Sequence, residues 1–122
     1  MSLQRKIEET TAVILSYSTF KKGWDGYEGC TFQRATLDKA AEIVELLFST
    51  FDNYDACPDE ITPSPCTDGS MDIEVEYNGN RVIFTIYPDM VSYYLQDVKE
   101  SGEITSEDDT FDKIRWVITN EN

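Results

Sequence analysis

Met71-Asp72-Ile73-Glu74-Val75-Glu76-Tyr77-Asn78-Gly79-Asn80-Arg81-Val82-Ile83-Phe84-Thr85-Ile86-Tyr87 is the stretch that decides the fold. Met71, Ile73, Val75 and Tyr77 alternate with Asp72, Glu74 and Glu76, the period-2 pattern of a strand with one wet face. Asn78-Gly79 supplies the residues favoured in a two-residue hairpin turn, and Arg81 to Tyr87 returns. A turn there sets Tyr77 against Asn80, Val75 against Val82, Ile73 against Phe84 and Met71 against Ile86, so the apolar faces coincide. On the other face Glu76 falls opposite Arg81, Glu74 opposite Ile83 and Asp72 opposite Thr85. Two independent patterns select one register.

Downstream, Pro88-Asp89 predicts a second turn. Met90 to Asp97 then places Val91, Tyr93 and Leu95 on the core side and Ser92, Tyr94 and Gln96 outside. Ser101-Gly102 reads as a further turn, with Glu103 to Thr105 as a short fourth strand at the edge. Asp108, Asp109 and Thr110 are candidate caps for a closing helix that carries Phe111, Ile114, Trp116, Val117 and Ile118, although Ile114 to Thr119 is β-branched enough to form a strand. Upstream, Asp52 to Ser70 is a connection rich in Asp, Pro, Ser and Thr. Pro58, Pro63 and Pro65 exclude a helix or a central strand and leave room for an extended edge piece near Glu60 to Pro65.

Two amphipathic helices precede it. Leu3, Ile7, Ile14 and Tyr17 share a face between Ser2, a candidate cap, and about Phe20. Leu37, Ala40, Ala41, Val44, Leu47, Phe48 and Phe51 do so between about Arg34 and Phe51, with Thr31 or Thr36 as candidate caps. Between the helices lies Gly23-Trp24-Asp25-Gly26-Tyr27-Glu28-Gly29, whose glycines stop the first helix. Trp24, Asp25, Gly26 and Tyr27 read as a structural turn, Trp24 packing against the helices and Asp25 capping backbone N–H groups; the same residues in a glycine-bracketed loop also suit recognition. The expected fold is α+β over residues 1–122 as a single acidic domain. Two N-terminal helices pack on one face of a three- to four-stranded antiparallel sheet, with a C-terminal helix.

Charge narrows the function. Twenty-four acids against ten bases give a net charge of −14. The balance is −1 through Ser49 and −13 from Thr50 onward, so the second half carries the field. Such a surface repels nucleic-acid phosphates and anionic membrane and favours a basic partner; it also keeps a small protein dispersed. With no histidine anywhere, imidazole-activated nucleophiles and imidazole metal sites are excluded. Cys30, Cys57 and Cys66 are odd in number and not spaced like a zinc knuckle, which suits reduced thiols in a cytoplasmic protein. No run of 18 apolar residues offers a membrane span.

The candidate interaction surface is Asp72, Glu74 and Glu76 with the outward aromatic Tyr94. Alternating acids on a strand equally describe an ordinary solvated face, and neither Asp52-Asn53-Tyr54-Asp55 nor Asp68-Gly69-Ser70-Met71-Asp72 has the ligand pattern of a calcium loop. Tyr94, with Ile83 beside it and Tyr87 nearby, needs a cover: either the C-terminal helix or another chain.

Gly23-Trp24-Asp25-Gly26, the spaced Ala35, Ala40 and Ala41, and the stretch Thr62-Pro63-Ser64-Pro65 followed by Asp68-Gly69 and Ile73 to Tyr77 together resemble a widespread, functionally uncharacterised group of small prokaryotic and phage-associated proteins. The likeness covers about Tyr17 to Leu95. It departs from the group's pattern at Cys30-Thr31-Phe32-Gln33, where a proline-rich link is usual, and in its acidic tail. The setting of that group in mobile or defence-related gene neighbourhoods implies an interaction or inhibitor protein; it implies no catalytic residue.

The expected function is therefore a noncatalytic protein-binding domain with a basic protein partner and no cofactor, metal, direct nucleic-acid contact or membrane contact. A sharper form is a nucleic-acid mimic or inhibitor from a phage or mobile element, of the anti-CRISPR type. The rival readings are a carboxylate-based or metal-dependent enzyme and a structural homo-oligomer, such as a homodimer joined by the sheet edge or the Tyr94 face.

Overall fold

A computed structural model describes residues 3–16, 32–66, 68–96 and 98–120. The order is α1 (Leu3–Ser16), α2 (Arg34–Asn53), β1 (Glu60–Pro65), β2 (Met71–Tyr77), β3 (Asn80–Ile86), β4 (Val91–Leu95), β5 (Glu100–Ile104) and α3 (Glu107–Thr119). The α+β class stands, but the sheet has five strands rather than three or four. They form an antiparallel meander in the order β1-β2-β3-β4-β5.

The β2–β3 hairpin has every pair that alternation and the Asn-Gly turn predict, from Tyr77–Asn80 to Met71–Ile86. Asn78 and Gly79 both take positive φ, 51° and 84°, as a turn matched to the right-handed twist of its strands requires. The inner rows Ile61–Val75–Val82–Leu95 and Pro63–Ile73–Phe84–Tyr93 run across the strands. Their central residues join Leu37, Ile43, Val44, Leu47 and Phe51 of α2 and Ile114 and Val117 of α3 in one core. The three helices do not share the sheet equally. Both α2 and α3 lie over its inner face, whereas α1 packs chiefly on α2, contributing the fully buried Ile14, and meets the sheet mainly at β1.

The connection before β2 contains the edge piece expected near Glu60 to Pro65, and it adds a strand to the sheet. Glu60–Pro65 is a full strand, paired with β2 along its length. Cys66 N–H donates to the Ser70 carbonyl at 2.9 Å in the same register. By the alternation of antiparallel pairs, Glu60, Thr62 and Ser64 therefore turn their backbone groups toward β2, while Ile61, Pro63 and Pro65 turn theirs outward. The two prolines stand where an N–H would have no partner, so they cost the ladder nothing and close that edge to further pairing.

At the other end, Ser101-Gly102 is not a turn but the middle of β5; the reversal comes earlier, with Lys99 in the left-handed region at φ 54°. Gly102 is needed for space, since a Cβ there would lie 3.0 Å from the Tyr93 ring and hydroxyl. Residues 107–119 settle as a helix, and its cap is Ser106, whose hydroxyl accepts from Asp109 N–H at 3.2 Å, rather than Asp108, Asp109 or Thr110. Asp109 instead reaches back to Thr105, accepting from its hydroxyl at 2.6 Å and its N–H at 2.9 Å. Thr36 likewise is no cap: it lies inside α2, fully buried, while Gln33 holds the N-cap position without a side-chain bond. The expected caps Ser2 and Thr31, the stretch 17–20 expected to continue the first helix, and the expected turn Trp24, Asp25, Gly26 and Tyr27 lie outside the described residues.

The Thr105 bonds, first from the hydroxyl and then from the N–H, hold the Asp109 carboxyl below the usual carboxylate range. A lowered folded-state pKa contributes stability above the unfolded-state value, and the contribution fades as pH falls through the folded one. Asp109→Asn should therefore be less stable than the parent at pH 7. The gap between their thermal midpoints should close below about pH 4, the ordinary range of Asp; a gap independent of pH would show that the carboxylate charge is irrelevant.

Candidate functional site

The outer face of the sheet follows from the same pairings. Three rows cross it: Glu60–Glu76–Arg81, Thr62–Glu74–Ile83–Tyr94–Ser101 and Ser64–Asp72–Thr85–Ser92–Glu103. Glu60, Asp72, Glu74, Glu76 and Glu103 thus share one face with a single base, Arg81. Negative charge is concentrated over β1 and β2, and the aromatic Tyr94, 37% exposed, stands to one side.

The acids are not equally available. Arg81 lies between two of them, its Nε 3.0 Å from Glu74 and its Nη2 3.0 Å from Glu76, and its Nη1 donates to Gln96 at 3.3 Å. Glu76, opposite Arg81 in the hairpin, thus shares the guanidinium with Glu74 in a fork. It spans β2, β3 and the end of β4. Asp72 accepts from the Thr85 hydroxyl at 2.7 Å, across the strand pair. Glu60, whose carboxylate lies 3.4 Å from the Thr62 hydroxyl, and Glu103 join the face through β1 and β5. Glu60, Thr62, Glu74, Glu76 and Arg81 line a shallow cleft of about 170 Å³.

Glu60 and Glu103 were missed in the sequence because their side depends on strand pairings that composition does not reveal. Asp72, Glu74, Glu76 and Tyr94 do fall on one face, as alternation predicts. The cover expected for Tyr94 is different. The C-terminal helix packs on the inner side, where Ile114 and Val117 are fully buried, and its Lys113 sits 4.3 Å from the centre of the Tyr93 ring. Among the described residues, no helix covers the outer face.

The rival enzymatic reading would draw on the thiols and on the carboxylates that line clefts. Burial, chiefly, pushes the Cys66 thiol up despite its bond with Ser70, and the nearby Asp72 carboxylate adds to the rise. That is the direction away from a reactive thiolate. Among the described residues, no three Cys, Asp or Glu side chains are grouped to hold a metal ion, and no helix is long and apolar enough to cross a membrane. A groove of about 280 Å³ beside Ala35, Lys39, Tyr87 and Met90 has Asp89 as its one carboxylate, whereas a pocket of about 190 Å³ between α1 and β1 is lined by Glu9, Asp59 and Glu60. What the outer face can do is attract and orient cations on a partner's surface. Compared with family models, with curated proteins and with solved structures, the chain matches none.

Proposed function

We propose that this is a noncatalytic binding domain whose outer sheet face engages a basic protein. One observation carries the reading: five carboxylates and one guanidinium share a sheet face with the exposed ring of Tyr94, and no described helix covers it. A face of this kind steers a cationic partner by long-range attraction, and the aromatic gives the contact an apolar anchor. The Arg81 fork occupies Glu74 and Glu76 and leaves Glu60, Asp72 and Glu103 to meet a partner's cations. A basic surface shaped for a phosphate backbone would find carboxylates in regular rows, so the sharper form of the proposal is mimicry of nucleic acid and inhibition of a nucleic-acid-binding protein. The resemblance to phage-associated proteins points in the same direction.

The test is affinity capture from a native lysate at low salt, followed by a salt gradient and by competition with duplex DNA. The reading expects one basic nucleic-acid-binding protein to remain bound above about 0.15 M salt, where exposed charges are well screened, and to be displaced by DNA. Changing Glu60→Gln, Asp72→Asn and Glu103→Gln together removes charge without disturbing the Arg81 fork. At about 0.5 kcal/mol per exposed pair, the triple variant should bind that protein about tenfold more weakly. Release of many unrelated proteins together, with no difference between parent and variant, would reduce the charge to a means of staying dispersed.

A further inference from the structure

The two edges of the sheet are built differently. At β1, Pro63 and Pro65 occupy outward-facing positions and close the edge. At β5 the bonding pattern runs the other way. Tyr87 N–H donates to Met90 O at 2.8 Å and Gln96 N–H to Arg81 O at 3.1 Å, which marks these as hydrogen-bonded pairs. Alternation then turns Ser92 and Tyr94 toward β3 and Val91, Tyr93 and Leu95 toward β5. These bond to Ile104, Gly102 and Glu100, leaving the N–H and C=O of Ser101 and Glu103 directed out of the sheet. Glu100 to Glu103 are all exposed, and the strand contains no proline. The next outward N–H, that of Thr105, is already taken by Asp109.

We propose that β5 accepts an extended basic segment of a partner protein as a sixth strand, bonded to the backbone of Ser101 and Glu103. The proposal rests on the acidic-binder reading above and names how the partner is held. Its chemistry follows from position. Residues of the added strand that lie opposite Ser101 and Glu103 emerge on the outer face, beside Glu103 and in line with Asp72 and Glu74, so they are lysine or arginine. The residue opposite Gly102 faces inward, toward the ring of Tyr93, and is apolar. Glu107 and Asp108 in the first turn of α3 extend the negative charge past the end of the strand. A second copy of this chain would bring another Glu100 and Glu103 to the same edge, together with its own net charge of −14, so like-charge repulsion opposes self-pairing.

The probe is an acetylated, amidated eight-residue peptide of alternating lysine and valine. Its controls are a helix-forming lysine–alanine peptide of equal charge and the alternating peptide with N-methyl groups along one edge. Titration at low salt, read by calorimetry and by amide hydrogen exchange, should show binding of the alternating peptide with slowed exchange at Ser101 and Glu103. Ser101→Pro removes one outward N–H without changing charge or the β4 ladder. It should weaken binding about tenfold while Ser101→Ala does not, and the N-methyl peptide should lose a similar factor against the unaltered protein, whatever the stability of the proline variant. Equal binding of all three peptides, unaffected by Ser101→Pro, overturns strand addition and leaves the acidic-face reading in place. No binding by any of them overturns both, and a dimer in light scattering that Ser101→Pro dissolves assigns the edge to a second copy instead.

Discussion

Phe84→Ala should lower the free energy of unfolding by about 3–5 kcal/mol, the range for removing a buried phenylalanine. Phe84 is fully buried at the middle of the central strand, flanked across the sheet by Ile73 and Tyr93. It belongs to the core that takes in α2 and α3. Collapse around the lost ring is hindered because strands paired on both sides hold the backbone in place. A domain of this size has roughly 5–15 kcal/mol of stability in all, so the variant should unfold at markedly lower urea concentration. Phe84→Leu, which keeps most of the volume, should lose less than about 1.5 kcal/mol. Urea unfolding of the three proteins measures both differences, and a loss below about 1 kcal/mol for the alanine variant would mean that the core is not packed as described.

The second large effect falls on a polar residue. Asn80 is completely buried, and its Nδ2 donates to the carbonyl of Val117 at 3.0 Å and to that of Asn120 at 2.8 Å. Asn120 Nδ2 donates back to Asn80 Oδ1 at 3.1 Å. The end of α3 leaves carbonyls without helical partners, and a side chain from the start of β3 satisfies them. Asn80→Ala strands the buried Val117 carbonyl, leaves the half-buried Asn120 without its partner, and should cost about 2–3 kcal/mol. Asn80→Asp keeps the shape but replaces the donor with a carboxylate facing two carbonyls. At pH 7 it should be at least as damaging as alanine, and the damage should lessen in acid as the carboxyl gains a proton it can donate. If Asn80→Asp matches the parent in urea unfolding at pH 7, the amide donor is not what holds α3.

Asn80 also shows where the sequence is silent. Its position opposite Tyr77 follows from the hairpin, but its partners lie thirty-seven and forty residues away, beyond any local pattern. The hairpin itself was legible to the residue, because alternation and turn chemistry are both local and agree. β1 was half legible: its prolines exclude a central strand and permit an edge, and pairing with β2 decides the matter. β5 was misplaced because Ser101-Gly102 has the composition of a turn, while the glycine is in fact there to leave room for Tyr93. The same limit governs the candidate site. Asp72, Glu74, Glu76 and Tyr94 could be assigned to a common face from spacing alone. That Arg81 binds both glutamates, and that Glu60 and Glu103 complete the face, depends on which strands stand side by side.

The order of the strands has a kinetic consequence. Each strand bonds only to its neighbours in the chain, across connections that run from two residues at 78–79 to five at 66–70. No pairing has to close a long loop before it gains a contact, so the entropic barrier to each step is small. Assembly can begin at the Asn78-Gly79 hairpin and extend in both directions one strand at a time, with no segment threaded between two others. The slower search is then left to the helices, which must find a sheet surface that already exists.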